Sequence, residues 1–199
     1  TEELRNSFGK MFFEKRKRKG LTLPEAKKLM RERNYFAAGM IEAGMADAAI
    51  SGLTRNYPDT ISPALQVVGK DKDALRIVGM YVLITKRGPM FFADTTINYN
   101  PTSEELVDIT LQVNDAVRRM KVKPVIAMLS YSNFGSSSGG EAKKVADAVE
   151  ILHKEYPEIL VDGEMQANFA LDTELLEEIF PFSQLVNQKV NTFIFPNLG

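Results

Sequence analysis

The five residues Val125-Ile-Ala-Met-Leu129 constrain the fold more than any other stretch. The run is apolar throughout, does not alternate, and is too short for an amphipathic helix. It therefore predicts a strand buried on both faces, the kind found in a parallel sheet covered by helices on either side. It leads directly into Ser130-Tyr-Ser-Asn-Phe-Gly-Ser-Ser-Ser-Gly-Gly140, after which a helical pattern resumes at Glu141. In sheets of this kind, ligands bind beyond the carboxyl ends of the strands. A serine- and glycine-rich loop there offers hydroxyl and N–H donors beside a helix N-terminus, a combination suited to phosphate or carboxylate. The loop matches neither GxGxxG nor GxxxxGK[ST], so a plain flexible connector remains the alternative.

At 199 residues and 44% hydrophobic content, the chain can bury a core for one large or two small domains. Twenty-five basic residues stand against 26 acidic ones, a net charge of -1, so no global field favours nucleic acid or an anionic membrane. No apolar run approaches the roughly 20 residues of a membrane span, and no signal-peptide layout is present. With no cysteine, disulfides, thiolate metal sites and cysteine nucleophiles are excluded, which suits a cytoplasmic location. A single histidine, His153, leaves no partner for a metal cluster or a Ser-His-Asp triad.

Leu4, Phe8, Met11 and Phe12 recur at helical spacing, and Lys15 to Lys19 end that helix as cations before Gly20. These cations suit the helix dipole; they also suit a polyphosphate-bearing ligand. Thr22 and Glu25 form a capping box that starts a second helix, and a third runs over Tyr35 to Ala43. Asp47 to Ser51 reads as a short buried strand followed by a loop holding Arg55 and Asn56, and a helix is expected from Thr60 to Val68 with Pro63 in its first turn. Leu75 to Ile84 and Met90 to Ala93 predict a hairpin about Lys86 to Pro89. Beyond it, Thr102 and Glu105 cap a long helix reaching Met120. A helix from Glu141 to Glu155, a strand Ile159 to Val161, a helix Thr173 to Phe180 and a strand Thr192 to Phe195 complete an alternating order that predicts a mostly parallel sheet. Asp162-Gly163-Glu164 would then sit at the sheet edge, where two carboxylates can hold magnesium or position a base, although a structural turn explains them better.

Taken together, Phe-Phe-Ala-Asp94, Asn-Pro-Thr-Ser-Glu-Glu105, Ala-Met-Leu-Ser-Tyr-Ser132, Val-Asp-Gly-Glu-Met-Gln166 and Phe-Ile-Phe-Pro-Asn197 resemble the ordered landmarks of the phosphate acetyl/butyryltransferase family. Arg16 to Gly20 and Asp59-Thr-Ile-Ser-Pro63 fit the same series. The resemblance covers nearly the whole chain and implies a two-lobed, three-layer α/β/α fold with a mostly parallel sheet. Residues 1–69 would be an incomplete first lobe and 70–199 a second. Thr-Arg-Asn-Tyr57 and Ser-Asn-Phe-Gly-Ser136 are similar to the phosphotransacetylase-like C-terminal domain of multidomain NADP-dependent malic enzymes.

On that branch, the resemblance implies an acetyl-CoA-binding regulatory and oligomerisation domain, inactive by itself. The parent oxidoreductase would decarboxylate malate to pyruvate with NADP and Mg or Mn in upstream malic-enzyme domains. The fragment itself would carry no cofactor or metal and would be cytoplasmic and homo-oligomeric. The alternatives are a phosphate acetyltransferase, making acetyl phosphate and CoA from acetyl-CoA and phosphate, and a purely architectural domain. The family's catalytic serine-arginine pair and aspartate are expected beyond Gly199, so no residue here is carried over as catalytic. A second departure is Ser62, which stands where the family pattern has arginine. What carries over is a surface for acetyl-CoA or an acyl phosphate: Arg16, Arg55, Thr60, Ser130, Ser132, Asn133, Gly135 and Ser136.

Overall fold

The computed structural model describes residues 1–198. These divide into two compact units, Thr1–Lys72 and the chain from Asp73 onward. The first unit is helical. Helix α1 (Glu2–Arg16) starts at Thr1, whose side chain accepts from the Leu4 N–H; Lys17–Lys19 add a 3-10 turn that stops at Gly20, φ 87°. Helix α2 (Leu23–Leu29) has the expected Thr22–Glu25 capping box, and α3 (Arg33–Glu42) follows. Phe8, Phe12, Ala26, Met30, Ala38 and Val67 form the core of this unit. Gly9 makes it possible, because a Cβ there would stand 2.8 Å from the Lys27 side chain and 3.0 Å from its Cα.

Two expectations fail in this unit. Residues 47–51 form no strand; they are mostly exposed, Ile50 fully so. A strand needs an edge to pair with, and every strand among the described residues lies between Met80 and Ile194. The next helix, α4 (Tyr57–Pro63), starts three residues early because the Asn56 side chain accepts from the Asp59 N–H. Pro63 thus closes α4 instead of opening it, and the chain continues through a π-helical turn, Ala64–Val68, in which the Gly69 N–H reaches Ala64 O.

The second unit is a five-stranded sheet in the order β1-β2-β5-β3-β4, with strands β1 (Met80–Thr85), β2 (Gly88–Ala93), β3 (Ile126–Leu129), β4 (Val161–Met165) and β5 (Thr192–Ile194). Only the β1–β2 hairpin is antiparallel. Helix α5 (Ser103–Arg119) opens with the Thr102–Glu105 capping box. With α6 (Gly140–Glu155) it covers one face, burying Leu106, Ile109, Val145 and Leu152 against Ile126 and Met128. Ala170 of α7 (Ala167–Leu171), Leu176 of α8 (Thr173–Ile179), Leu185 and Val190 cover the other, against Val125, Ala127 and Leu129. Successive residues of β3 thus enter opposite cores, which explains why its sequence cannot alternate. Among the described residues, no helix is long and apolar enough to cross a membrane.

Strand β4 runs two residues later than the expected Ile159 to Val161, so Asp162-Gly163-Glu164 lies inside the sheet. Asp162 accepts from the Ser183 hydroxyl at 2.7 Å and the Gln184 N–H at 2.8 Å. Gly163 has φ 148°, and a Cβ there would meet the Met128 carbonyl oxygen at 2.5 Å. Gly163→Ala should therefore destabilise the protein by about 1–3 kcal/mol, the usual range for overpacking, read as a lowered denaturant midpoint.

The α5 cap sets a pH dependence. The Thr102 N–H, then Arg76, hold the Glu105 carboxyl below its ordinary range. A depressed folded-state pKa gives stability that is complete above the unfolded value and disappears as pH falls through the folded one. Glu105→Gln should lower Tm at neutral pH, with the deficit shrinking to nothing in acid; Thr102→Ala should cost about 1 kcal/mol.

Candidate functional site

At the carboxyl end of the parallel strands, the 130–140 loop is built around one carboxylate. Glu164, 2% exposed, accepts from the Ser132 hydroxyl and the Gly135 N–H, both at 2.8 Å, while its backbone carbonyl accepts from the Phe134 N–H. Ser132, 1% exposed, also receives the Ser137 N–H at 3.0 Å and lies 3.1 Å from the Ser136 hydroxyl. Ser136 accepts from the Asn133 N–H, Asn133 Oδ1 accepts from the Gln166 N–H at 2.7 Å, and Gln166 Nε2 donates to Tyr131 O. Phe134 at φ 46° and Gly135 at φ 84° turn the chain, and the Phe134 ring packs against Phe180 and Phe182. The loop is a cross-linked knot, not a loose connector.

This geometry divides the expected residues. Ser132 and Gly135 donate inward to Glu164, so they shape the loop; Ser136 and Asn133 brace it. Ser130 accepts from the Ser132 N–H and keeps its own proton free to donate. Beside the loop, α6 begins at Gly139 with no side-chain cap, leaving first-turn N–H groups open to an anion.

Lys144, its side chain 12% exposed, donates to Asn100 Oδ1 at 2.6 Å, Glu141 at 2.7 Å and Pro196 O at 3.1 Å. It ties α6 to the segments following β2 and β5. Lys144, then Asn197, hold the Glu141 carboxyl below its ordinary range. Asp94, 2% exposed, closes β2 by accepting from the N–H groups of Gly79, Thr96, Ile97 and Asn98.

In the first unit, Arg55 and Thr60 line one cavity of about 560 Å³ with Asn34, Ile41, Leu53 and Ile61. Arg16 lines another of the same size with Lys19, Lys28, Phe12 and Leu29, which also includes Glu25 and Glu32. The three expected residues are thus not in one pocket. Arg55 is engaged by Glu32 at 3.1 Å, and the Thr60 hydroxyl donates to Asn56 O. Ser62 lies in the last turn of α4 and lines a smaller cavity with Arg55, Glu32 and Asp59.

Sequence reasoning missed Glu164 as an anchor, Lys144 as a clamp and Phe134 as a brace. The one visible signal was the acids of Asp162-Gly163-Glu164 between apolar residues, a pattern read as an edge turn. Both carboxylates are met by protein donors, and among the described residues no cluster of three histidine or acidic side chains could hold a metal. His153 faces Val161 O at 2.8 Å.

Residues 1–199 match the family described as Phosphate acetyl/butaryl transferase. The chain belongs to that family. It is 36% identical to the phosphate acetyltransferase of Clostridium acetobutylicum over 96% of this chain and 60% of that protein. The solved EutD phosphotransacetylase from Staphylococcus aureus superposes with a TM-score of 0.81 at 30% identity, covering 96% of this chain and 59% of that one. The chain spans about three fifths of the length of these relatives.

These matches correct the expectation of a catalytically inactive regulatory domain from a malic enzyme. An NADP-dependent malic enzyme of Haemophilus influenzae does match, at 33% over 96% of this chain and 25% of that protein. Phosphate acetyltransferases of Clostridium acetobutylicum and Bacillus subtilis match at 36% and 34% over nearly the same span, and two solved phosphotransacetylases superpose with a TM-score of 0.81. The malic-enzyme preference rested on a few loop residues near Tyr57 and Ser136, which whole-chain identity outweighs. No oxidoreductase or NADP assignment attaches to this chain.

Glu164→Ala would leave the buried Ser132 hydroxyl and the part-buried Gly135 N–H without this acceptor, at a cost of about 1–3 kcal/mol. Amide hydrogen exchange at Gly135 and Ser137 should accelerate more than at β3; equal changes in both would mean the carboxylate does not organise the loop.

Proposed function

We propose that the protein carrying this chain is a phosphate acetyltransferase. Acetyl-CoA and inorganic phosphate give acetyl phosphate and CoA: a phosphate oxygen attacks the thioester carbonyl carbon, the C–S bond breaks, and the thiolate leaves with CoA. The observation that supports this reading best is the 36% identity to a phosphate acetyltransferase over 96% of the chain. The serine loop agrees with it chemically. Phosphate asks for several donors on a preorganised support, and the Ser130 hydroxyl with the uncapped start of α6 supplies donors on a loop that Glu164 holds fixed.

On this reading, Ser130, Ser132, Asn133, Gly135 and Ser136 form and brace the phosphate-facing loop, and Arg16, Arg55 and Thr60 serve CoA. Residues 1–69 and 70–199 correspond to the two lobes. The basic cluster at the end of α1 favours Arg16 over Arg55: Arg16 has no ion pair among the described residues, whereas Arg55 is already paired with Glu32. The protein acts in the cytoplasm as a homo-oligomer. Phe182, 68% exposed on the Phe134–Phe180 cluster, offers an apolar contact for a second copy.

The purified protein should form acetyl-CoA from acetyl phosphate and CoA well above a no-protein blank; a rate equal to the blank would refute the assignment. Arg16→Ala should raise KM for CoA about tenfold or more, since a charge-assisted hydrogen bond contributes about 1.5–3 kcal/mol, and the effect should shrink as salt rises. Ser62→Arg should tighten CoA binding only weakly, because Glu32 and Asp59 line the same cavity and compete for the guanidinium.

A further inference from the structure

The amino-terminal edge of the sheet, opposite the serine loop, carries a cavity of about 290 Å³. Three separate connections wall it. Arg87 comes from the β1–β2 turn, Lys123 from the segment between α5 and β3, and Lys189 from the segment before β5. The remaining lining is amide or apolar, with Gln188, Asn191 and Val122 among it and no carboxylate. The walls are tied together: Lys189 Nζ donates to Arg87 O at 2.6 Å, Asn191 Nδ2 donates to Lys123 O at 2.9 Å, and Asn191 Oδ1 accepts from the Val125 N–H at 3.0 Å.

None of the three cations is ion-paired among the described residues. Unlike Lys17 to Lys19 or Arg118 and Arg119, they do not belong to the last turn of a helix, so the helix dipole does not account for them. All three residues are exposed, so water and salt soften their mutual repulsion, but they stand around a space roughly 8 Å across, about one Debye length at physiological salt, with no carboxylate between them to offset it. An arrangement that the backbone ties hold together and charge alone would push apart is complementary to a multivalent anion.

We propose that this cavity is a second anion site, separate from the serine loop, that takes a compact polyphosphate, with inorganic diphosphate as its simplest member. Two phosphoryl groups carry together about three negative charges near neutral pH, matching the three cations. The surroundings favour a small ligand: the adjoining cavity, which shares Arg87, Lys189 and Asn191, has a volume of only about 60 Å³ and is lined further by Met90, Ala170 and Leu171, so it adds no built pocket for a nucleoside.

Calorimetry with diphosphate tests this independently of any transferase activity. Arg87→Gln, Lys123→Gln and Lys189→Gln should each weaken diphosphate binding about tenfold, Lys123→Glu should abolish it at this site, and added potassium chloride should weaken the wild type. Arg119→Gln, a cation outside the cavity lining, should leave this binding event unchanged. Thermal melts accompany each variant, because Lys189→Gln also cuts the tie to the β1–β2 turn, whereas Arg87→Gln keeps the carbonyl that accepts it. Unchanged affinity in Arg87→Gln and Lys123→Gln would overturn the proposal, even if Lys189→Gln bound less. So would the absence of diphosphate binding, or orthophosphate binding as tightly as diphosphate.

Discussion

A carboxylate taken out of water must be met by donors, and the way Glu164 is met decides the shape of the loop at the carboxyl end of the sheet. Its two partners, the Ser132 hydroxyl and the Gly135 N–H, come from a loop whose only large apolar anchor is Phe134. Once they are fixed, the rest of the loop follows. Ser132 accepts from Ser137, Ser136 receives Asn133, and Phe134 is turned out of the knot onto Phe180 and Phe182. A polar anchor below and an aromatic brace beside it hold this loop rigid. Glu164 can reach it because Gly163 lets β4 lie close against β3, where any Cβ would meet the Met128 carbonyl.

The sheet separates two kinds of chemistry at its two ends. Its carboxyl end is rich in neutral donors, hydroxyls and backbone N–H groups, with the Lys144 ammonium already committed to Asn100, Glu141 and Pro196. Its amino end carries Arg87, Lys123 and Lys189 with no carboxylate in the lining of their cavity. Strand β3 connects the two ends, with Val125 in the wall of the basic cavity and Leu129 leading into the serine loop.

The first unit follows the same physics with less apolar material. Its core is a short list centred on Phe8, Phe12 and Met30, and α1 and α2 approach closely only because position 9 is glycine. Its cations divide by partner. Lys15 and Lys17 are taken by Glu42 and Glu14, Arg55 is taken by Glu32, and Arg16 faces a cavity without an ion pair among the described residues. The residues that resemblance grouped as one binding surface are therefore not equivalent.

Where local chemistry is self-sufficient, the sequence alone determined the outcome. The Thr22–Glu25 and Thr102–Glu105 capping boxes, the stop at Gly20 and the two-sided burial of β3 each depend on residues a few positions apart and formed as expected. The β1–β2 hairpin formed too, but β1 starts at Met80 and not at Leu75, because 75–79 find no strand partner among the described residues. Family membership was likewise legible, because its landmarks recur in order along the chain. Tertiary structure decided what depends on distant partners. Residues 47–51 had strand-like composition but found no edge to pair with among the described residues, and α4 began at Tyr57 because the Asn56 side-chain cap outweighed the proline signal at Pro63. Asp162 and Glu164 looked like exposed edge carboxylates, yet Ser183 lies 21 residues from the one and Ser132 lies 32 residues from the other. A buried acid is tolerated only where donors converge on it, and that convergence is a property of the folded chain, not of the acid's sequence neighbours.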